Sequence, residues 1–186
     1  MIQSVIKFLA LLTLVTNLFL VYLFVTFILY KLGLSKSLFT SWKKLLQNKA
    51  VLWAFIVALT ATLGSLFLSE IAGYEPCKFC WLQRIFMYPL VFVLGVALFG
   101  KARDVAKYVK PLSIVGGILA TYHYYIQINP NALAPCTSVG FSISCSERFF
   151  TYYGYITIPW MSLTAFLLIT LLMFLSLKLG NKKAKN

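Results

Sequence analysis

Gly73-Tyr74-Glu75-Pro76-Cys77-Lys78-Phe79-Cys80-Trp81-Leu82-Gln83-Arg84 lies where one long apolar segment ends and the next begins. It contains a Cys-x-x-Cys pair with an arginine four residues after the second cysteine. Proline suits the first turn of a helix, where a missing N–H costs nothing, so Pro76 is expected to open one. A helix starting there puts Cys77 and Cys80 in its first turn on one face, with Arg84 one turn below Cys80. A helix N-terminus and a guanidinium both stabilise a thiolate, which is the reactive form of the thiol. The stretch is therefore read as an electron-exchanging pair at a membrane surface.

Composition agrees with the membrane part of that reading. The 186 residues are 61% hydrophobic and 11% charged, which is a membrane composition. The length suits one helical bundle without a second globular domain. A net charge of +13 raises the question of nucleic acid. The charges, however, fall in short runs between apolar segments, as the positive-inside rule produces. There is no nucleic-acid motif, no Gly-rich phosphate loop and no internal repeat.

Working outward from the central stretch, residues 50–72 and about 77–100 form two spans joined by the 73–76 junction. A basic segment at 101–110 leads to a span at about 108–127. A weakly charged loop at 128–154 leads to a last span at about 155–178. Ahead of these, residues 8–30 carry no charge and are long enough to cross about 30 Å of hydrocarbon. This run exceeds a signal-peptide core and no small-x-small cleavage site follows, so it is read as a retained helix. The expected architecture is an all-α integral membrane protein, a four-helix transmembrane bundle (50–178) preceded by one additional transmembrane helix and a basic loop (1–49). A basic tail (179–186) closes the chain. Lys31, Lys36, Lys43, Lys44 and Lys49, the basic 101–110 segment and the tail lysines belong on the cytoplasmic side. The 73–80 junction and the 128–154 loop, which hold all four cysteines, then lie outside, and so does the N-terminus. Thiols there can form disulfides, because the cytosolic reducing pool does not reach them.

Haem attachment would need a histidine directly after Cys80, where Trp81 stands. A closed zinc site wants four ligands, usually as two close pairs, whereas Cys136 and Cys145 are separated by eight residues and His123 is the only histidine. No metal is expected. A strained Cys-x-x-Cys disulfide is readily reduced, which favours a redox role for Cys77 and Cys80. Cys136 and Cys145 either staple an exposed loop or form a second exchanging pair. Two pairs on one face allow a relay, one meeting a soluble partner and the other an acceptor at the membrane. Arg84, within about one turn of the outer boundary of its span, is either an interfacial anchor or a group that stabilises the Cys80 thiolate and binds a polar acceptor such as a quinone oxygen. Glu70, Gln83, His123 and Gln127 also fall at outer span ends, and His123 and Gln127 share a helix face.

These elements together resemble the DsbB family of bacterial disulfide-bond formation proteins, in the short-loop form often called BdbC. The residues that carry the resemblance are Cys77-x-x-Cys80-x-x-Gln83-Arg84 opening a helix, Tyr122-His123-x-x-x-Gln127 ending the next, Cys145-Ser146-Glu147-Arg148 in the loop, and Gly154-Tyr-Ile-Thr-Ile-Pro159 before the last span. The resemblance covers about residues 50–178 and implies a four-helix membrane bundle in a bacterial cell membrane. It implies oxidation of a soluble, DsbA-like thioredoxin-fold thiol oxidase, with electrons passed to a quinone (ubiquinone or menaquinone). By position, Cys136–Cys145 would take electrons from the partner, with Cys136 forming the mixed disulfide. Cys77–Cys80 would reoxidise that pair, Cys80 would contact the quinone, Arg84 would hold it and His123 would assist. The first span is extra to the usual four helices, and the loop pair is closer together than in long-loop members.

Two other readings compete. A vitamin K epoxide reductase-like quinone reductase also combines a small bundle, a Cys-x-x-Cys and a loop pair, but there the loop cysteines precede the Cys-x-x-Cys. A non-enzymatic membrane protein with two structural disulfides would keep all four cysteines oxidised.

Overall fold

A computed structural model describes residues 1–34, 46, 49–100, 104–129 and 144–183, with side chains as far as 176. Five helices make up the described fold: α1 (Ile2–Lys31), α2 (Ala50–Leu66), α3 (Lys78–Phe99), α4 (Val105–Ile128) and α5 (Ile158–Lys183). A π-helical turn, Phe67–Ile71, prolongs α2. Among the described residues the one extended pairing is an isolated bridge between Tyr152 and Ile156, just before α5. The protein is an all-α membrane bundle of α2 to α5 with α1 added at the N-terminus, as the sequence led us to expect.

Small residues let the bundle helices approach closely, which is how helices associate where lipid supplies no hydrophobic drive. Ala54 and Ala58 of α2, and Ala106 and Ala120 of α4, are buried in one core with Leu90 and Leu94 of α3 and Phe166 of α5. The α4–α5 contact is the tightest of these. A Cβ placed on Gly116 would sit 2.3 Å from the Phe166 ring, so only glycine fits there. One polar tie crosses the same pair, the Thr170 hydroxyl donating to Ser113 Oγ at 2.9 Å. Outward-facing apolar side chains such as Phe92, Val96, Phe99 and Ile118 are exposed, as expected where lipid is the solvent.

Among the described residues, four helical stretches are long and apolar enough to cross a membrane: Ile2–Lys31, Ala50–Ile71, Lys78–Phe99 and Ile158–Ser176. α4 is long enough, at 24 residues, but its last turns carry Tyr122, His123, Tyr124, Tyr125 and Gln127. His123 is buried against α3 and Gln127 against the 147–148 segment rather than offered to lipid.

The central stretch folds with a shift from expectation. Gly73 takes a positive φ of 71°, the left-handed conformation that glycine adopts at helix ends. Tyr74 N–H then closes back on Leu68 O at 2.9 Å. The next helix starts later than Pro76: Cys77 is the N-cap and Lys78 the first helical residue. The reason is that the Cys77 sulfur does a cap's work, accepting the backbone N–H of Cys80 at 3.4 Å. Pro76 therefore precedes the cap instead of filling the first turn.

Candidate active site

Capping places the two thiols in different surroundings. Cys77, which precedes the spanning helix, is buried in a cluster with Phe79, Ile126 and Cys145. Cys80 lies one turn on, with its Sγ 3.2 Å from that of Cys77; both are free thiols, hydrogen-bonded to one another. Cys145 is buried and disulfide-bonded. Cys136 lies outside the described residues.

His123, 2% exposed, reaches the pair from α4. Its Nε2 is 3.5 Å from Cys77 Sγ and its Nδ1 is 2.9 Å from Gln83 Nε2. With the Gln83 amide donating to Nδ1, the ring proton is assigned to Nε2, where it points at the sulfur. Cys77 is thus held well below the ordinary thiol range. The hydrogen bond from the Cys80 thiol is the main cause, opposed by burial and reinforced by His123. The sequence led us to expect one easily ionised thiol and pointed, through Arg84, to Cys80; the donors around Cys77 favour Cys77 instead. Gln83 was noticed in the sequence only for its depth. Its bond to His123 joins α3 to α4, and nothing in local spacing announces it.

Arg84 lies nearly two turns inside α3, deeper than expected, and is 9% exposed. Snorkelling does not hold it there. Its Nε donates to Ser65 Oγ at 3.0 Å and an Nη donates to Ser65 O at 3.1 Å. The Tyr88 hydroxyl also meets Ser65 Oγ, at 3.4 Å. Ser65 stands just before the π-helical turn, a register change that often accompanies functional sites in helices. Arg84 makes no hydrogen bond to Cys80 among the described residues. Instead, both line a cavity of about 330 Å³, with Ser65, Gln83, Trp53 and Met87 among its other walls. Cys77 is not part of that lining.

The sulfur atoms of Cys77 and Cys80 and a His123 ring nitrogen all lie within 4.8 Å of one another. A thiophilic cation would find three ligands there, one fewer than a closed zinc site uses. Glu70 is exposed on the π-helical turn, bonded to Ser69 at 2.9 Å. Gln127 is not part of the thiol site. It clips the loop instead: its Nε2 donates to Glu147 O at 2.9 Å, and Arg148 Nε donates to Gln127 O at 2.9 Å. Tyr74 stacks on Phe149 with ring centroids 4.7 Å apart. These contacts bind the segment after Cys145 to the end of α4 and to the junction before Cys77.

The family model described as "Disulfide bond formation protein DsbB" matches residues 47–176. The chain belongs to the DsbB family. "Disulfide bond formation protein C" of Bacillus subtilis is 44% identical over 124 residues, 66% of this chain and 88% of its own. "Probable disulfide formation protein C" of Bacillus cereus is 39% identical over 132 residues, 71% of this chain and 94% of its own. A "Probable disulfide formation protein" of Coxiella burnetii is 35% identical over 144 residues, 77% of this chain and 97% of its own. No solved structure matches the chain significantly. Membership in the DsbB family makes this a multi-pass membrane protein of disulfide-bond formation and displaces the vitamin K epoxide reductase-like alternative. The match to the DsbB family begins after α1.

Proposed function

We propose that this chain is a membrane thiol:quinone oxidoreductase that reoxidises a soluble thioredoxin-fold thiol oxidase outside the cytoplasm. The observation that carries this reading is the division of labour within one Cys-x-x-Cys. Cys77 is buried in the cluster that holds the loop cysteine Cys145, and Cys80, which packs against that cluster, is the one of the two that also lines the cavity that Arg84 enters. One sulfur faces an electron source and the other faces a sink.

The cycle is thiol–disulfide exchange. A partner thiolate attacks Cys136 of the Cys136–Cys145 disulfide and forms a mixed disulfide, with Cys145 leaving as a thiolate. Cys145 attacks Cys77 of the Cys77–Cys80 disulfide and releases the Cys80 thiolate. The partner's second thiolate resolves the mixed disulfide, releasing oxidised partner and Cys136. Cys136 then attacks Cys145, restores the loop disulfide and leaves Cys77 as the thiolate. Two electrons have moved from the partner to Cys77 and Cys80. The donors around Cys77 make it a good leaving group, since a lower thiol pKa speeds departure.

The cavity fits a quinone. Its walls are mostly apolar, suited to a ring and an isoprenoid tail, and Ser65 uses only part of the five-donor fork of Arg84. When bound, a quinone supplies a two-electron, two-proton sink. Arg84 and Gln83 are the groups that would hold its oxygens, and Cys80 is the sulfur at the cavity wall. Membrane quinones are far stronger oxidants than ordinary structural disulfides, and about 30 mV is worth 1.4 kcal/mol for this couple. Flow therefore runs towards disulfide synthesis. The distribution of basic segments supports a cytoplasmic C-terminus with the cysteines outside.

Anaerobic quinol formation by purified protein, with a reduced thioredoxin-fold oxidase as donor, tests this reading. Cys80→Ser should abolish it. Cys136→Ser should block electron entry from the partner yet leave Cys77 and Cys80 able to react when reduced by a small dithiol. Quinol formation that survives Cys80→Ser would sink the mechanism.

A further inference from the structure

The helix outside the family match is part of the site. α1 brings Leu9, Leu12, Thr13 and Thr16 to the wall of the cavity that Cys80 and Arg84 reach. That spacing is i, i+3, i+4, i+7, one continuous face of a helix. Leu11, Val15 and Leu18, on the opposite side of the helix, are 49%, 55% and 63% exposed, so that face of α1 is left for lipid.

Three features hold that face in register. Leu9 Cδ1 lies 3.3 Å from where a Cβ on Gly64 would stand, and Gly64 precedes Ser65, the residue that grips Arg84. About two turns further along α1, the Thr164 hydroxyl donates to Asn17 Oδ1 at 2.9 Å, and Asn17 Nδ2 lies 3.4 Å from the Tyr155 hydroxyl. The Thr13 and Thr16 hydroxyls bond back to Leu9 O and Leu12 O at 2.9 and 2.8 Å. They line an apolar cavity with no hydrogen bond left unmet. The N-terminal half of α1 is therefore level with the cysteine-bearing end of the bundle.

We propose that α1 is a fourth wall of the acceptor site, beside α2, α3 and α5, and that its Leu9–Thr16 face sets which quinone ring the cavity admits. This rests on the thiol:quinone reading above. Without α1 the same cavity would open sideways to lipid between α2 and α5. With it, ring size and substituents meet Leu12, Thr13 and Thr16.

The test is equilibrium binding to the full-length protein in detergent, with no thiol donor present. Trp53 lines the cavity, so binding of a short-tailed naphthoquinone or benzoquinone is read by quenching of tryptophan fluorescence. Thr16→Phe places a ring inside the cavity and should weaken naphthoquinone binding about tenfold or more. Val15→Phe adds the same ring on the lipid face and should leave it within about twofold. Leu12→Ala widens the wall and should shift preference towards the bicyclic ring by about threefold or more. Saturable binding by the parent with Thr16→Phe unchanged would overturn the wall and leave the thiol:quinone reading standing. Equal weakening by Thr16→Phe and Val15→Phe would also overturn it, because helix disturbance would then be the cause. If Thr16→Phe does not fold, an unchanged ring preference in Leu12→Ala overturns it. A parent that shows no saturable binding sinks the thiol:quinone reading and the wall together.

Discussion

α1 and α4 are opposites. α1 has the apolar composition of a membrane helix throughout, yet only Ile6, Ala10, Thr13 and Thr26 are buried. α4 falls short of the composition of a membrane span, yet ten of its residues are buried, and it supplies His123 and Gln127. Hydropathy thus reports contact with lipid, and the helix that reads least like a span is packed closely on α3 and α5 along one side. Polar groups are tolerable at that depth because neighbouring helices supply partners that lipid lacks. Disturbing α4 should therefore cost much more than disturbing α1.

The largest effect is expected at His123. Removing it takes a donor from a charged sulfur, worth about 1.5–3 kcal/mol, or one to two pH units. In anaerobic, reduced protein, thiolate absorbance of the parent should persist as the pH falls well below the ordinary thiol range, because the folded-state pKa of Cys77 is depressed. In His123→Ala the lower thiolate transition should move up towards that range. An unmoved transition would mean that the Cys80 thiol alone stabilises Cys77.

Next comes the α4–α5 contact. Gly116→Val forces a side chain into Phe166 and should destabilise the bundle by about 1–3 kcal/mol. Gly117→Ala meets Phe166 Cβ at an ordinary 3.6 Å and should change little. Thermal unfolding in detergent compares the two, and equal Tm values would contradict the packing described. Ser65→Ala should cost about 1 kcal/mol, a typical hydrogen bond, in both stability and quinone affinity, because Arg84 loses a seat on the cavity wall. The smallest effect belongs to α1. Asn17→Leu removes the tie to Thr164 and should lower stability by only about 0.6 kcal/mol, the average for such membrane hydrogen bonds. A loss of several kcal/mol there would erase the contrast between the helices.

Much of this was legible in the sequence because it is local. Long apolar runs between basic segments pointed to five helices, and Cys-x-x-Cys with Arg84 pointed to the site. The i, i+4 pair of His123 and Gln127 marked a polar face on α4, although the two residues proved to serve different ends. What escaped depends on pairs far apart in the chain. Ser65 and Arg84 are 19 residues apart, Gln83 and His123 are 40, and Asn17 and Thr164 are 147. No period or spacing links such partners, and a serine or asparagine in an apolar run looks the same with a partner or without one. The position of Cys77 escaped for another reason. Proline is the stronger textual sign of a helix start, and a thiol acting as the cap is seen only once its sulfur meets the Cys80 N–H.

The clip between α4 and the loop has a consequence for how this chain can vary. Gln127 grips the main-chain carbonyl of Glu147, and Arg148 grips the main-chain carbonyl of Gln127. The side chain of Glu147 takes no part in either bond. Position 147 can therefore change charge, size or polarity without the loop losing its place. Positions 127 and 148 have no such freedom, because one must offer an amide and the other a guanidinium across the same gap. A library randomised at 127, 147 and 148 and selected for disulfide formation should return one permissive column flanked by two restrictive ones.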